Sequence, residues 1–587
     1  MSPTRRRHVP LAIIVATLGA CAAPSTPPVT SPMSGKRVEG RTGMVAASHP
    51  DAAAAGVEIL RAGGNAIDAF AATAFALSVT DVSQTGLGGG GAMTWYDAST
   101  KRAEHLSFYP KSGASAEWGR ADSTTARLAG RAAAVPGMVA GVLEAHTKWG
   151  RLSRQQVMAP AIRLAREGFI VSPLLSRTIA ASRTKLRADS IATLRFMPAG
   201  DALRPGERLT QPELAVTLTR IADGGARAFY TGVVAEQLAG TVQRAGGLID
   251  VNDMRDYAVL PMRPLCAPWH GYTVLGAPPP MGGSAVLEML QMADAAGLSK
   301  AGGFTDQPSA VVSLADVMRI GNADAGRWRG DPTSLRVPAR GVSHPGYATQ
   351  RAALVGSPLT DSVRAGDAEA FDSGVTPAAC ARFDPYPPAA LPRPAASGSD
   401  DAAQRSDDNT SFTSHLSVVD GDGNAVSATT TVGVLFGSGV YTGGFFLNSS
   451  AANFDARTRG PNRYANSTMS PTMLLQGDRV VLAIGAAGSQ YIQPAIVQVT
   501  LRMLAFGEDP GHAITAPRVH ASASTKDVEV EPGFTTPVYA ALVARGYRPV
   551  SRVADITFGG VHGVFVRKDG MRIGIADPRR DGVALGQ

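Results

Sequence analysis

A mixed α and β fold, in one large unit or in two halves sharing a core, is what the chain predicts, and three observations carry it. Residues 413–432 alternate as a β-hairpin around the turn residues Gly421, Asp422, Gly423 and Asn424. Apolar runs at residues 52–62 and 66–79, separated by Gly63, Gly64 and Asn65, have the length and end signals of helices. A hydrophobic content of 44%, with 65 Gly and 40 Pro in 587 residues, suits a loop-rich globular protein better than a fibre or a disordered chain. The net charge of +8 is modest at this length, and no Lys/Arg cluster interleaved with aromatics occurs, which argues against a nucleic-acid partner.

At the N-terminus, Arg5, Arg6 and Arg7 precede an apolar run over residues 9–19 and the sequence Leu18, Gly19, Ala20, Cys21. That order is a charged region, a short hydrophobic region and a small-residue cleavage site, so residues 1–21 read as a signal peptide. The run is too short to span a bilayer as a mature helix. It resembles a bacterial lipobox with Cys21 as the lipidated first residue; the other reading is a plain secretory signal with an incidental cysteine. Either way the folded part is expected to be exported, and the first reading makes it a periplasmic, membrane-anchored lipoprotein. The Pro/Ser/Thr-rich residues 22–40 read as a flexible tether.

The folded region begins with a short strand at residues 43–48, then the two helices, the first ended by a glycine cap at Gly63 and Gly64. Gly88, Gly89, Gly90 and Gly91 require either close backbone approach or positive φ, and they lack the Lys-Ser/Thr of a phosphate cradle. A strand resumes over residues 92–97. Ala134, Val135, Pro136 and Gly137 precede one helix; Ala159, Pro160, Ala161 and Ile162 open another that closes at residues 167–169. Cys266 and Cys380 are the only cysteines beyond the signal. Export permits a disulfide, but two unpaired buried thiols are the expectation, and no spacing suits a metal or cofactor. Residues 381–412 turn to Pro, Ala, Ser and Asp, cannot bury a core, and are expected to be mobile. Past the hairpin, residues 480–485 read as a buried strand, and Ala486, Ala487, Gly488 and Ser489 turn into a helix from about residue 491. Amides at such a turn suit developing negative charge.

Thr413 begins a strand directly after the disorder-prone segment. A cut before it leaves an α-amine beside the threonine hydroxyl, putting nucleophile and base in one residue. The bland alternative is an ordinary Ser/Thr-rich hairpin. However, T-S-H-L-S-V-V-D-x-D-G-N-A-V over residues 413–426 resembles the signature of the γ-glutamyltransferase (γ-glutamyltranspeptidase) family. A-G-G-N-A-I-D-A at 62–69 and T-G-L-G-G-G-G-A at 85–92 are similar to segments of that family's large subunit. Further matching segments follow in the family's order, at 229–232, 246–253, 278–283 and 324–332.

The resemblance implies an α+β fold of the N-terminal-nucleophile (Ntn) hydrolase class, a four-layer αββα sandwich formed jointly by two autoproteolytic subunits, residues 41–412 and 413–587. It implies self-cleavage between Phe412 and Thr413, with Thr413 as nucleophile, Thr431 bonding its hydroxyl, and the amides of Gly488 and Ser489 holding the oxyanion. Residues 467–472 are similar to the family's paired-hydroxyl loop, with Ser467 retained and Thr468 replacing the second serine. Donor recognition departs in three places: Tyr109 stands at the family's carboxylate-binding Arg, Gly433 at an Asn, and Asn453 at the Asp that holds the donor amine. Lys111 and Asp455 lie one or two positions away and restore the charges if the register slips. Otherwise the pocket should prefer a donor without the zwitterion, such as a glutaryl amide, leaving Ser467, Thr468 and the loop at residues 88–91 to bind one carboxylate.

The implied function is an exported, self-processing hydrolase that cleaves, and in a transferase mode transfers, γ-glutamyl or related acyl groups from amides such as glutathione. The alternatives are a glutaryl-type, cephalosporin-acylase-like amidase and a non-catalytic surface lipoprotein. Expected partners are a small-molecule amide, the two subunits of one precursor and a membrane through the lipid. The loop at residues 440–444 is shorter than the family's usual lid.

Overall fold

Hydrophobic alternation puts residues 412–433 into two long antiparallel strands, and both are buried along their whole length. A hairpin buried on both faces needs sheet neighbours at its edges and a layer on each side. The computed structural model describes Met1 and residues 36–119, 129–383, 412–455, 457 and 459–587. Of the two units into which the chain divides, Met1–Pro32 and Met33–Gln587, the second carries everything below.

The sheet strands are β1 Lys36–Gly40, β2 Met44–Ala47, β3 Gly90–Asp97, β4 Arg102–Phe108, β5 Leu260–Met262, β6 Leu265–Trp269 and β7 Tyr272–Gly276. They continue with β8 Phe412–Val419, β9 Ala425–Gly433, β10 Thr472–Gln476, β11 Arg479–Ala487, β12 Gly560–Val566, β13 Arg572–Ala576 and β14 Val583–Gly586. One seven-stranded sheet runs β1-β13-β12-β11-β10-β7-β6 and the other β14-β2-β8-β9-β3-β4-β5. Every neighbouring pair is antiparallel. The sheets face each other, with β8 against β11 and β12.

Helices α1 Pro50–Arg61 and α2 Ala66–Thr80 cover the sheet that holds the hairpin. Helices α3 Gly283–Ala295 and α4 Ile492–Thr500 cover the other. The layer order is therefore α, β, β, α, as the resemblance implies. Every residue of α2 is buried, which is why its sequence is apolar all round rather than amphipathic. Between the sheets, His415 fits because Gly485 opposite has no side chain; a Cβ there would lie 2.2 Å from the imidazole.

Strands from before and after residue 412 are mixed in both sheets. β8 lies between β2 and β9, and β10 lies between β7 and β11. Parting the two portions would break ladders in the middle of each sheet, so a cut at residue 412 leaves one body.

Several expectations are corrected. The end of the tether is not free: Lys36–Gly40 pairs with Arg572–Ala576 as an edge strand. Cys266 and Cys380 form a disulfide, with Cα atoms 5.6 Å apart. The chain folds residues 378–380 back onto β6, a proximity that a sequence separation of 114 conceals. The helix assigned to begin at Ala159 spans Arg154–Glu167: Ser153 and Gln156 form a capping box, and Pro160 lies inside it. Residues 1–35, apart from Met1, lie outside the described residues, and with them the signal peptide, Cys21 and most of the tether. Of the segment 381–412, only residues 381–383 and Phe412 are described.

The C-terminal end is fixed by buried ions. Asp577 accepts from Arg518 Nη2 at 2.7 Å and from Arg579 Nη1 at 3.1 Å, and Arg579 Nε donates to Glu531 at 2.7 Å. Burial pushes the Asp577 carboxyl up, but Arg518 and Arg579 outweigh it and hold it below the usual range. Removing one member leaves its partners buried and uncompensated. Asp577→Ala should lower the unfolding free energy by about 3–5 kcal/mol, measured by urea denaturation.

Candidate active site

β8 and β9 pair in register except at one point. Phe412 faces Gly433 and Ser414 faces Thr430, so the single residue Thr413 stands opposite two, Thr431 and Val432, and β9 carries a bulge there. The bulge breaks the regular ladder at the level of Thr413 and Thr431. Thr413 is 3% exposed. The Thr431 hydroxyl donates to the Phe412 carbonyl at 2.5 Å and accepts from the Gly433 N–H at 2.7 Å. In the uncut chain, then, Thr431 binds the carbonyl of the bond that precedes Thr413. Gly433 is required there: its φ is +94°, and a Cβ would meet Ser449 Oγ at 2.2 Å.

The glycine run at residues 88–91 settles on close approach, since none of the four has positive φ. A Cβ on Gly89 would lie 2.2 Å from the Thr431 carbonyl, and one on Gly91 2.5 Å from that of Thr429. The run lets β3 and its entry loop lie flush against β9.

The other conserved-looking residues of the hairpin motif are positional. His415 is fully buried, with Nδ1 at 2.8 Å from Thr429 Oγ1 and Nε2 at 3.0 Å from Ser417 Oγ. Burial, with the neighbouring His562, pushes its pKa well below the usual value, so the ring is neutral and a weak base. Asp420 accepts from the N–H of Asn424 at 3.0 Å and of Ala66 at 2.9 Å. One carboxylate thus closes the hairpin turn and holds the start of α2.

A polar cluster that the sequence did not reveal lies beside Thr413. Arg580 Nη1 donates to the Thr413 carbonyl at 3.1 Å and also to Gln84 Oε1, and Nη2 donates to the Ile556 carbonyl at 2.8 Å. Gln84 Nε2 donates to Asp81 Oδ1 at 2.6 Å, and the Ser414 hydroxyl donates to the other oxygen of Asp81. Burial pushes Asp81 up to about 7, against the pull of Ser414, Arg580 and Gln84 and with the help of Asp581. Burial draws Arg580 down to about 10, against the attraction of Asp81 and Asp577. Asp81, Gln84 and Arg580 come from two distant stretches of chain, and no local motif marks them.

Gly488 and Ser489 end β11 with φ of +130° and +53°, and the turn Ser489–Tyr491 leads into α4. A Cβ on Gly488 would lie 2.8 Å from Gly559 Cα, and one on Gly560 would lie 2.3 Å from the Arg580 side chain. The turn is thereby linked to Thr413 through Arg580.

The three departures converge on one side of the hairpin. Tyr109 is buried, and its hydroxyl accepts from Asn453 Nδ2 at 2.8 Å. Burial raises its pKa, while Asn453 and the neighbouring Ser450 and Ser467 oppose the rise; of these, Asn453 makes the hydrogen bond, and Ser450 Oγ is enclosed without a partner among the described residues. Ser449, next to Ser450, accepts from the Val434 N–H at 3.0 Å and abuts Gly433, which connects this patch to Thr431. Thr468 adjoins through its carbonyl, 2.8 Å from a Cβ built on Gly282. The nearby charges do not substitute. Asp455 is held by Arg457 at 2.9 and 2.6 Å, and Lys111 Nζ lies 5.7 Å from the Tyr464 ring centre. The short loop at residues 440–444 is docked: a Cβ on Gly444 would lie 2.1 Å from the Leu214 nitrogen. Among the described residues no His/Cys/Asp/Glu group fits a metal, and no helix is long and apolar enough to cross a membrane.

Comparison with known proteins agrees with this geometry. Residues 52–587 match the model of the family described as Gamma-glutamyltranspeptidase. The chain is 32% identical over 565 residues to the glutathione hydrolase proenzyme of Bacillus subtilis strain 168, covering 93% of this chain and 92% of that protein. It is also 32% identical over 573 residues to the acylase ACY 1 proenzyme of Pseudomonas sp. strain V22, covering 94% of each. The crystal structure of cephalosporin acylase from Bacillus halodurans superposes with a TM-score of 0.80 at 26% identity, over 96% of this chain and 99% of that one.

The Asp81 cluster has a pH signature. Its folded pKa of about 7 lies above the ordinary 3.8, so the folded state holds this proton more tightly than the unfolded chain. That stability is present below pH 4 and is lost as pH rises towards 7. Asp81→Asn should remove this slope: the variant should gain about 4 kcal/mol on wild type between pH 4 and pH 7, at ~1.4 kcal/mol per unit, measured by unfolding at both pH values.

Proposed function

The chain belongs to the gamma-glutamyltranspeptidase family, and from that premise we propose that it is a self-processing amide hydrolase whose nucleophile, Thr413, is freed by scission of the Phe412–Thr413 bond. The observation that supports this most directly is the 2.5 Å hydrogen bond from Thr431 to the Phe412 carbonyl. Attack by Thr413 Oγ on that carbonyl carbon moves charge onto the oxygen, and the Thr431 hydroxyl already donates to it. The C–N bond breaks and the Phe412 acyl group passes to Oγ. The nitrogen leaves as the α-amine of Thr413, and water releases the Phe412 carboxylate.

The products are residues up to 412 and residues 413–587, and they stay together through the shared sheets. The disulfide lies wholly before the cut and plays no part in joining them. In turnover the Thr413 amine takes the proton from Oγ, Oγ attacks the substrate amide, and the amides of Gly488 and Ser489 receive the oxyanion. The N-terminal signal and the disulfide support export; lipidation at Cys21 would fix the protein to a membrane surface.

For the substrate, the relatives named glutathione hydrolase and acylase mark out acyl amides, γ-glutamyl or otherwise. Tyr109, Gly433 and Asn453 favour the acylase side, a donor of glutaryl type without an α-amine. The bond between Tyr109 and Asn453 is the observation that supports it, because neutral partners satisfied by each other do not hold a zwitterion.

N-terminal sequencing of the shorter fragment should read Thr-Ser-His-Leu, and Thr413→Ala should leave one full-length band on a denaturing gel. Thr431→Val, which keeps the shape and removes the hydroxyl, should slow scission by about 100-fold or more. Scission at wild-type rate in that variant would remove Thr431 from the mechanism.

A further inference from the structure

The donor side of the site holds a cation that neither the hairpin nor the processing step uses. Arg329 follows the helix Pro308–Trp328, its N–H bonded to the Ala325 carbonyl at 3.0 Å. Its Nε is enclosed and has no hydrogen-bond partner among the described residues. The charged and titratable groups that act on it are Asp455, Arg457 and the Tyr109 hydroxyl, and burial draws its pKa down. Asp455 is the only carboxylate among these, and it is already committed to Arg457 at 2.9 and 2.6 Å. The next carboxylate along the chain, Asp331, is also committed, to Thr333 at 2.9 and 2.7 Å and to the Tyr464 N–H at 3.0 Å.

Arg329 is part-exposed, with Nε enclosed and the rest of the guanidinium open to a ligand, and an enclosed donor without an acceptor is costly unless a ligand supplies one. Its field reaches Tyr109, the residue bonded to Asn453 beside Ser449, Ser450 and Gly433. Of the charged groups that act on one another here, Asp455 is held by Arg457, and Arg329 is the cation without a carboxylate of its own.

We infer that Arg329 is the specificity-determining cation of the donor pocket, binding a free carboxylate at the far end of the acyl group that Thr413 accepts. Tyr109, Asn453 and Ser467 supply neutral hydrogen bonds around that carboxylate. An α-ammonium on the donor has no anion to meet, so a dicarboxylic acid monoamide is favoured over a zwitterionic γ-glutamyl amide. This rests on the reading of Thr413 as the acyl-accepting nucleophile.

The test uses the processed protein and three chromogenic donors: glutaryl-p-nitroanilide, its methyl ester, and γ-glutamyl-p-nitroanilide. Wild type should prefer the free acid to the methyl ester by about 10- to 100-fold in kcat/KM, the scale of a lost charge-assisted hydrogen bond. It should also prefer the free acid to the γ-glutamyl compound. Arg329→Gln should abolish the preference for the free acid, lowering kcat/KM for the acid far more than for the methyl ester, and Arg329→Lys should restore part of it. Glutarate should raise the melting temperature of wild type, and monomethyl glutarate should not.

The assignment is overturned if Arg329→Gln slows both esters and acids equally or slows neither. It is likewise overturned if the γ-glutamyl donor is preferred, or if processed wild type neither turns over the glutaryl donor nor responds to glutarate. N-terminal sequencing of the same preparation separates the failures. An uncut chain sinks the Thr413 reading and this one with it, whereas a cut chain without charge preference sinks Arg329 alone.

Discussion

The hydrogen bond between the Thr431 hydroxyl and the Phe412 carbonyl is the contact to which the rest of the site is fitted. It exists because a bulge in β9 sets Thr431 and Val432 opposite the single residue Thr413, and because Gly433 supplies both a positive φ and room for Ser449. The bulge can be held only where the strands on either side are fixed. β8 is therefore the third strand of a seven-stranded sheet, with β2 on one edge and β9 on the other. Close backbone contact from Gly89 and Gly91 then sets β3 against β9 at the level of Thr431.

Buried charge supports this arrangement from behind. Arg580 bonds the Thr413 carbonyl, and its own N–H bonds the Asp577 carbonyl at 3.2 Å. Asp577 is locked by Arg518 and Arg579, and Arg579 by Glu531. Such a network contributes little net stability compared with an apolar core, but it defines position, since each ion is costly in any other arrangement. On the opposite side Asp81 completes the ring through Ser414 and Gln84. Thr413 is thus held by its backbone from the C-terminal segment and by its neighbour's side chain from the end of α2.

On the donor side, recognition is a question of which charges remain uncommitted. Tyr109 and Asn453 satisfy one another, Asp455 is taken by Arg457, and Arg329 is left over. The loss of an acid and a base from a pocket is tolerable as a pair, because neither is stranded. On the proposed reading, a single remaining guanidinium would change the class of acyl group that suits the pocket without altering the surroundings of Thr413.

The sequence alone determined the hairpin, the two helices expected at about 52–62 and 66–79, the glycine run and the place of Thr413 in a strand, because each is written in local periodicity, turn chemistry or a contiguous motif. Its resemblance to one family supplied the layered fold, which the two facing sheets bear out. The tertiary structure decided what depends on residues far apart in the chain. The Cys266–Cys380 bond joins positions 114 residues apart, Asp81 and Arg580 meet beside Thr413, and the field of Arg329 reaches Tyr109. None of these has a local signature. An arginine or a cysteine carries the same letter whether it is solvated, paired or stranded, and only folding fixes its neighbours and hence its free energy.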